Sequence, residues 1–148
     1  MAGTEPGSAP HGGHRRRSRT RRLAVDILYQ ADITGVAPHE VADAWLAAGR
    51  EVPDHTRHLV DGVEADQGRI DELLGEHSEG WVVSRMSVVD RAILRTAVFE
   101  LLDGVPAPIA INEAIEAAER LSTEASGRFV NGVLGAIARA LTEGPAET

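Results

Sequence analysis

The spacing of apolar residues is the feature that most constrains the fold of this chain. From residue 18 onward, apolar side chains recur at intervals of three and four residues, the period of an amphipathic helix. No segment alternates apolar and polar residues with a period of two, and clusters of β-branched residues are sparse, so strands are not expected. The chain is therefore predicted to fold from helices alone, and its 43% hydrophobic composition is enough to bury a core.

Glycine and proline divide the helical pattern into segments. The first helix is expected to begin at Ser18, and the third to be kinked or divided at Gly68, since glycine is a poor helix former. Glycine readily ends a helix and proline suits the first turn of one, so these residues mark the other boundaries. In the first half of the chain they are Gly35, Pro38, Gly49 and Pro53.

The second half of the chain predicts three more helices. Ser87 and Asp90 form an S-x-x-D capping box at the start of the fourth helix. Pro106 and Pro108 are expected in the loop before the fifth helix, because proline disfavours helical backbone. Ser126 is the expected N-cap of the sixth helix.

These six helices, three on either side of residues 75–80, predict an all-α fold of two small packed three-helix bundles. Residues 1–17 lack apolar periodicity and are expected to form a disordered basic arm. Residues 18–143 form the single helical domain, and residues 144–148 are expected to fray. No run approaches the roughly 18 apolar residues of a membrane span, and the absence of cysteine fits a reducing cytoplasm.

The charge of the chain is divided unevenly, which bears directly on function. Residues 1–22 carry six arginines and one acidic residue, Glu5, whereas the remaining residues carry nine arginines and 22 acidic residues. The net charge is −8, and no lysine is present. A basic arm on an acidic body predicts a polyanionic partner for the arm, while the acidic body argues against a protein that wraps duplex DNA.

An RNA-binding arm is the interpretation that best fits the six clustered arginines, which are Arg15, Arg16, Arg17, Arg19, Arg21 and Arg22. A guanidinium group binds phosphate through two hydrogen bonds, and arginine-rich segments often become ordered on RNA. The alternatives are a solubility tail or generally high arginine usage, and the absence of lysine supports the second. Compositional bias does not explain why six of the 15 arginines fall within eight positions.

A second RNA-binding element is predicted at the start of the last helix. Phe129 could stack on an unpaired base and Asn131 could read a base edge, with Arg128 beside them. Core packing is the competing interpretation for Phe129, because this residue begins an apolar stripe. Gly132 is expected to allow a neighbouring element to approach closely. Tyr29 is expected to keep its hydroxyl at the surface.

Catalytic and metal-binding sites are not favoured. The chain has no cysteine, no glycine-rich phosphate loop and no G-x-S-x-G motif. Asp54, His55 and His58 form a D-H-x-x-H cluster, and His11 and His14 lie three residues apart, but neither group has the further ligands that a metal site needs. We expect no metal, no cofactor and no enzymatic activity.

Several segments, in order along the chain, resemble the NusB family of transcription antitermination factors. They are RRLAVDILY at 21–29, DRAILR at 90–95, FEL at 99–101, INEAI at 111–115 and FVNGVL at 129–134. The resemblance implies two packed helical bundles, no catalytic step, and binding of boxA RNA in ribosomal RNA leader transcripts together with the ribosomal protein NusE. It also implies a place in the RNA polymerase antitermination complex and, for some members, a homodimer.

The resemblance further implies RNA contacts for the basic arm, Tyr29, Phe129 and Asn131, and it favours base stacking over core packing for Phe129. Two positions depart from the family. Glu119 stands where a basic residue is usual, and Ala125 replaces an acid that is common in the loop before the last helix. Both lie near the expected RNA edge, so we expect RNA affinity to depend more than usual on NusE.

Three alternatives stay open. A domain of this fold can serve an RNA methyltransferase, but cytosine methyltransferases of that kind need a cysteine, which this chain lacks. A helical interaction module would bind NusE-like partners or a second copy through apolar helix faces and would ignore RNA. A helix-turn-helix DNA-binding protein is disfavoured by the acidic body and by the lack of a basic recognition helix.

Overall fold

The computed structural model describes the backbone of residues 9–143 and the side chains of residues 16–143, and this part of the chain is helical without strands. A 3₁₀ turn at Val83–Arg85 precedes α5. The α-helices are α1 (Ala9–Thr34), α2 (Pro38–Ala47), α3 (Asp54–Ala65), α4 (Gln67–His77), α5 (Val88–Leu102), α6 (Ala107–Leu121) and α7 (Glu124–Glu143). The predicted all-α fold is confirmed. Residues 144–148, which were expected to fray, lie outside the described residues.

The first two helices end where glycine was expected to stop them. Gly35 follows α1 with φ of +77° and Gly49 follows α2 with φ of +83°, a backbone region that glycine enters without steric cost. The amide of Gly35 donates to the carbonyl of Ala31 at 2.8 Å, which closes the last turn of α1. Pro38 occupies the first turn of α2, where its missing N–H removes no helical hydrogen bond.

The N-terminal boundary of α1 differs from the prediction. The helix begins at Ala9 rather than Ser18, so the backbone of residues 9–17 is helical, and residues 1–8 of the predicted disordered arm lie outside the described residues. Arginine has a favourable helix propensity, and a helix already held by packing at its C-terminal half extends at little cost. The arginines are therefore carried on a helix instead of a loose segment.

Three further boundaries also differ. The predicted third helix is divided into α3 and α4 at Asp66, two residues before Gly68, which raises the count to seven among the described residues. The loop expected around Pro108 is shorter, because α6 begins at Ala107 and Pro108 lies in its first turn. Helix α7 begins before Ser126, and the hydroxyl of Thr123 accepts from the Ser126 amide at 3.0 Å, so Thr123 caps the helix.

The predicted Ser87–Asp90 cap at α5 is confirmed, with 3.0 Å between the Ser87 Oγ and the Asp90 amide nitrogen.

Helix α5 lies at the centre of the fold. Helices α1, α2 and α3 pack together as one bundle and α4, α6 and α7 as another, and α5 contacts α1 and α3 on one side and the second bundle on the other. The predicted two-bundle arrangement is therefore confirmed, although α4 belongs to the second bundle. The buried residues of α5 cover its whole circumference: Ala92, Ile93, Leu94, Thr96, Ala97, Val98, Phe99 and Glu100. Within the described chain, no helix combines the length and apolarity needed to cross a membrane.

Helices α3 and α5 approach closely because Gly62 has no side chain. A Cβ atom at Gly62 would lie 2.2 Å from the Cζ atom of Phe99. In contrast, nothing lies within 4 Å of a Cβ placed at Gly132, so the expectation that Gly132 accommodates a close neighbour is wrong.

We therefore predict opposite effects of alanine at these two helical glycines. Gly62→Ala should lower the free energy of unfolding by about 1–3 kcal/mol, because the added methyl group overpacks the core against the buried Phe99 ring. Gly132→Ala should raise it by about 0.5–1 kcal/mol, because alanine has the better helix propensity and meets open space. Urea denaturation followed by circular dichroism measures both, and effects of the same sign would contradict the close approach.

Candidate nucleic-acid interface

The N-terminal half of α1 presents arginine side chains to solvent. Residues three, four or seven positions apart share a helix face, so Arg19, Arg22 and Tyr29 lie on one exposed stripe. Tyr29 exposes 40% of its surface. The exposed arginines of the helix are Arg16, Arg17, Arg19 and Arg22. The side chain of Arg15 lies outside the described residues.

Arg21 is separated from the other arginines because its side chain points into the protein. It is 7% exposed, and its Nε donates to the Oε2 of Glu100 on α5 at 2.5 Å. A second carboxylate, Glu113 on α6, lies 3.7 Å from the Arg21 Nη1 and accepts from the Ser18 hydroxyl at 2.9 Å. The prediction of Arg21 as an RNA-binding residue is therefore corrected: its buried side chain anchors α1 to α5 and α6.

The buried carboxylate of Glu100 makes this anchor strong. Burial raises the pKa of Glu100 above its ordinary value, and the guanidinium of Arg21 opposes that rise. Only 2% of Glu100 is exposed, so water cannot replace Arg21 as its partner. The rotation of α1 about its own axis is consequently held by a charge pair, and the remaining arginines are directed outward.

The exposed arginines differ in how far protein carboxylates neutralise them. Arg19 forms an ion pair with Glu51. Burial raises the pKa of Asp26, and Arg50 and Arg22 lower it in part, which places Arg22 in the field of one carboxyl group. Among the described side chains, Arg16, Arg17 and Arg22 form no ion pair. These three guanidinium groups are the ones most available to phosphate.

A groove runs between α1 and α6 over the surface of α5. Arg22 and Arg120 lie on its two sides, and apolar residues that include Val25, Ile93 and Leu121 line it. The tertiary structure thus brings a cation of α6 to the arginine-bearing end of α1. The Arg21–Glu100 pair and Glu113 also line the groove, so apolar residues, cations and carboxylates all contribute to its surface.

The second predicted element, at the start of α7, is only partly exposed. Arg128 and Asn131 are exposed and lie three residues apart, on one side of the helix. Phe129 is half-buried: it packs against the core and also lies beside the Trp81 ring, with 5.6 Å between the ring centroids and a 60° angle between the planes. Neither the core nor the stacking interpretation describes Phe129 completely, because one part of its ring serves the core and the rest faces a surface cleft.

Sequence reasoning missed three residues near Phe129. Trp81 forms the ring pair with Phe129. Arg85 lines the cleft on one side of this pair, and Arg139 lines the cleft on the other side. Trp81 lies in a loop outside every apolar stripe, which is a signal that the sequence contained. Arg85 and Arg139 gave no comparable signal, because each is an isolated basic residue in the sequence. Only the fold places them beside the aromatic pair.

The two departures from the family pattern are both close to the start of α7. A Cβ atom at Gly127 would lie 2.8 Å from the Cγ of Glu119 and 3.0 Å from its Oε2, so the Glu119 side chain lies against the first turn of the helix. Negative charge is favourable at this end of a helix. Ala125 is exposed at the cleft that Trp81 and Phe129 line. A carboxylate therefore occupies the helix end where an RNA phosphate could otherwise bind.

The two predicted RNA-binding elements lie at opposite ends of α5. The arginine end of α1 contacts Glu100, whereas Ser126 of α7 donates to the Oδ2 of Asp90 at 3.2 Å. Ten residues of α-helix separate these contacts, which corresponds to about 15 Å along the axis. The elements do not form a single pocket, and a ligand that met both would have to be extended.

The histidines of the D-H-x-x-H cluster bind other parts of the protein. His55 Nδ1 lies 2.6 Å from the Thr20 hydroxyl, and burial together with Arg21 lowers the pKa of His55. His58 Nε2 lies 2.8 Å from the Oδ2 of Asp103, and its ring meets the edge of Phe99. Within residues 16–143, no group of three potential metal ligands is found. The side chains of His11 and His14 lie outside the described residues.

Sequence comparison identifies similar proteins along most of the chain. Residues 18–139 match the model of the NusB family. The chain is 50% identical over 131 residues to the Transcription antitermination protein NusB of Saccharopolyspora erythraea, covering 82% of this chain and 86% of that protein. It is 44% identical over 126 residues to the protein of the same name from Nocardioides sp., covering 83% of this chain and 93% of that protein.

Solved structures share the fold. The structure of T. maritima NusB superposes with a TM-score of 0.75 at 34% identity, covering 83% of this chain and 90% of that chain. A chain from the crystal structure of antitermination factors NusB and NusE in complex with dsRNA superposes with a TM-score of 0.73 at 27% identity, covering 84% of this chain and 97% of that chain.

The anchoring role of Arg21 predicts a large difference between two adjacent substitutions. Arg21→Ala should lower the free energy of unfolding by about 3–5 kcal/mol, because it leaves Glu100 buried without its partner. The matched control, Arg22→Ala, removes the same charge from the surface and should change stability by no more than about 0.5 kcal/mol. Urea denaturation at neutral pH measures both, and equal effects would show that the pair does not hold α1.

The pH dependence of the Arg21→Ala variant gives a second test. Without Arg21, folded Glu100 holds a proton more tightly than unfolded Glu100, so the folded state gains stability as pH falls. The variant has a lower free energy of unfolding than the unmodified protein at neutral pH. This difference should therefore become smaller as the pH falls into the range in which carboxyl groups titrate. If the difference in the free energy of unfolding grew as the pH fell, Glu100 would not be an unpaired buried carboxylate in the variant.

Proposed function

The chain belongs to the NusB family, and on this premise we propose that it is a transcription antitermination factor that binds boxA-type RNA of ribosomal RNA leader transcripts together with the ribosomal protein NusE. The general role is supported by relatives that carry the name Transcription antitermination protein NusB at 50% and 44% identity. Partnership with NusE and RNA is supported by the similar fold of a NusB chain solved in complex with both.

The observation that carries the RNA-binding proposal is the unneutralised arginine cluster on α1. Arg16, Arg17 and Arg22 are exposed and without ion-pair partners among the described side chains, whereas the rest of the body is acidic. An anionic strand would be attracted to this edge and repelled from the acidic surfaces of the protein. Each phosphate that an arginine neutralises releases condensed counterions, which gives binding a strong dependence on salt. The proposed RNA-contacting set is Arg15, Arg16, Arg17, Arg19, Arg22, Tyr29, Arg128, Phe129 and Asn131.

The far end of α1 offers apolar surface for a protein partner. Tyr29 and Ile33 follow the arginines along α1, and Val36 lies in the loop after it; all three remain exposed although they are large and apolar. Such surface favours burial against another protein, so NusE or a second copy of this chain is the proposed occupant. The same apolar surface supports the competing function, a helical module that binds proteins and does not bind RNA. We propose that the protein acts in the cytoplasm, within the RNA polymerase antitermination complex, without catalysis.

The arginine cluster predicts a change in both affinity and salt dependence. The triple substitution Arg16→Ala, Arg17→Ala and Arg22→Ala should weaken binding of single-stranded boxA RNA, and the slope of log affinity against log salt should fall by about 0.7 for each phosphate that the variant no longer neutralises. Arg69→Ala is the matched control, since Arg69 is exposed on α4. Fluorescence anisotropy of labelled RNA over a salt series measures both quantities. An unchanged slope in the triple variant would favour the interaction module.

The carboxylate of Glu119 at the start of α7 predicts strong dependence on NusE. NusE should increase the affinity for boxA RNA by about 5- to 150-fold, the usual range of coupling between two ligands. Glu119→Gln should bind RNA more tightly in the absence of NusE, because the substitution removes negative charge from the proposed RNA edge. Titrations with and without NusE test this, and equal affinities in the two conditions would rule the dependence out.

A further inference from the structure

The two tryptophans of the chain have contrasting environments. Trp45 is 5% exposed, its indole N–H donates to the Oε1 of Gln30 at 3.0 Å, and the guanidinium carbon of Arg50 lies 3.4 Å from its ring centroid. Trp81 is 54% exposed, and its indole N–H has no hydrogen-bond partner among the described residues. Trp45 is a satisfied core residue, whereas Trp81 holds a large apolar face and a polar donor at the surface.

The backbone presents Trp81 in a defined position. The amide of Trp81 donates to the carbonyl of Ser78 at 2.7 Å, which closes a turn. Gly80 occupies this turn with φ of +75°, a conformation that other residues rarely adopt. The Trp81 ring contacts Phe129 of α7 with an angle of 60° between the ring planes, and the two rings form one wall of a cleft. The position of Trp81 is therefore set by a turn and a ring contact, although more than half of its surface meets solvent.

The polar groups around this ring pair suit an unpaired nucleotide. Arg85 lies on one side of the pair, and Arg128 and Arg139 lie on the other, and none of the three forms an ion pair among the described side chains. Asp90 lines the same cleft as Trp81, and its Oδ1 is buried without a hydrogen-bond partner. Glu79 is the other acidic group at the pair among the described side chains. Around the ring pair, arginines therefore outnumber carboxylates, whereas in the body as a whole carboxylates outnumber arginines.

We propose that Trp81 is an RNA-binding residue that stacks on one unpaired base, with Phe129 as the other ring of the same cleft wall. Base–aromatic stacking tolerates any sequence, because every base has a π face, and the neighbouring arginines bind the phosphates on either side. The proposal rests on the RNA-binding function proposed above and adds a second point of contact about 15 Å along α5 from the arginines of α1. Single-stranded RNA is the occupant favoured over a protein because a ring between unpaired arginines matches bases joined by phosphates.

The test compares single-stranded RNA with an abasic strand that keeps the ribose and phosphates. Trp81→Leu should weaken binding of base-containing RNA by about tenfold to a hundredfold, the loss expected for one stacked base. The same variant should bind the abasic strand as the unmodified protein does. Trp81→Phe should keep most of the affinity, because phenylalanine still stacks. Val82→Ala is the matched control, since Val82 is the adjacent residue and is 56% exposed.

Each outcome separates this inference from the function on which it rests. If the unmodified protein binds RNA and the triple arginine variant weakens base-containing and abasic strands alike, while Trp81→Leu affects neither, the stacking role is overturned and the proposed function stands. If the unmodified protein binds neither strand, both fall. If Trp81→Leu reduces binding of NusE and leaves RNA affinity unchanged, the cleft is a protein-docking surface and the stacking role is overturned. An unchanged urea midpoint for Trp81→Leu establishes that any loss is not caused by unfolding.

Discussion

The ion pair between Arg21 and Glu100 is the interaction on which the functional surface depends. It joins α1 to the buried central helix, and Glu113 extends the contact to α6. A charge taken out of water is tolerated only beside its partner, so the pair allows one orientation of α1. In that orientation Arg22, the next residue, faces solvent. One arginine of the basic segment is thus buried, and it sets the direction in which its neighbours point.

The proposed RNA-binding surface consists of two cationic regions on an otherwise acidic protein. One is the arginine end of α1 with Arg120, and the other is the ring pair of Trp81 and Phe129 with its arginines. The first supplies charge and the second supplies planar apolar surface. Phosphate contacts provide affinity without regard to sequence, whereas contacts to bases can distinguish one strand from another. The spacing of the regions along α5 therefore favours an extended single strand that meets both.

Much of the fold could be predicted from local chemistry. Gly35, Gly49 and the Ser87 cap fall where the sequence indicated, because each acts through the backbone of its own turn. The boundaries that differ depend on more distant groups. Thr123 displaces Ser126 as the cap of α7 while Ser126 binds Asp90 of α5. The candidate site was predictable in part: the exposed arginines and Asn131 lie at the surface, whereas neither the inward turn of Arg21 nor the pairing of Trp81 with Phe129 could be read from local spacing.

The sequence by itself determined that the chain is helical, where most helices end, and that positive charge collects at one end of an acidic protein. These properties follow from periodicity, turn chemistry and composition, which act within a few residues of the chain. Only the tertiary structure decided which arginine is buried, which aromatic residue is exposed, and which distant cations share a surface. Those outcomes depend on contacts between residues far apart in sequence: Arg21 meets a carboxylate 79 positions away, and Trp81 meets a ring on α7. Helical periodicity assigns a residue to a face, but the partner on that face is set by how the helices pack.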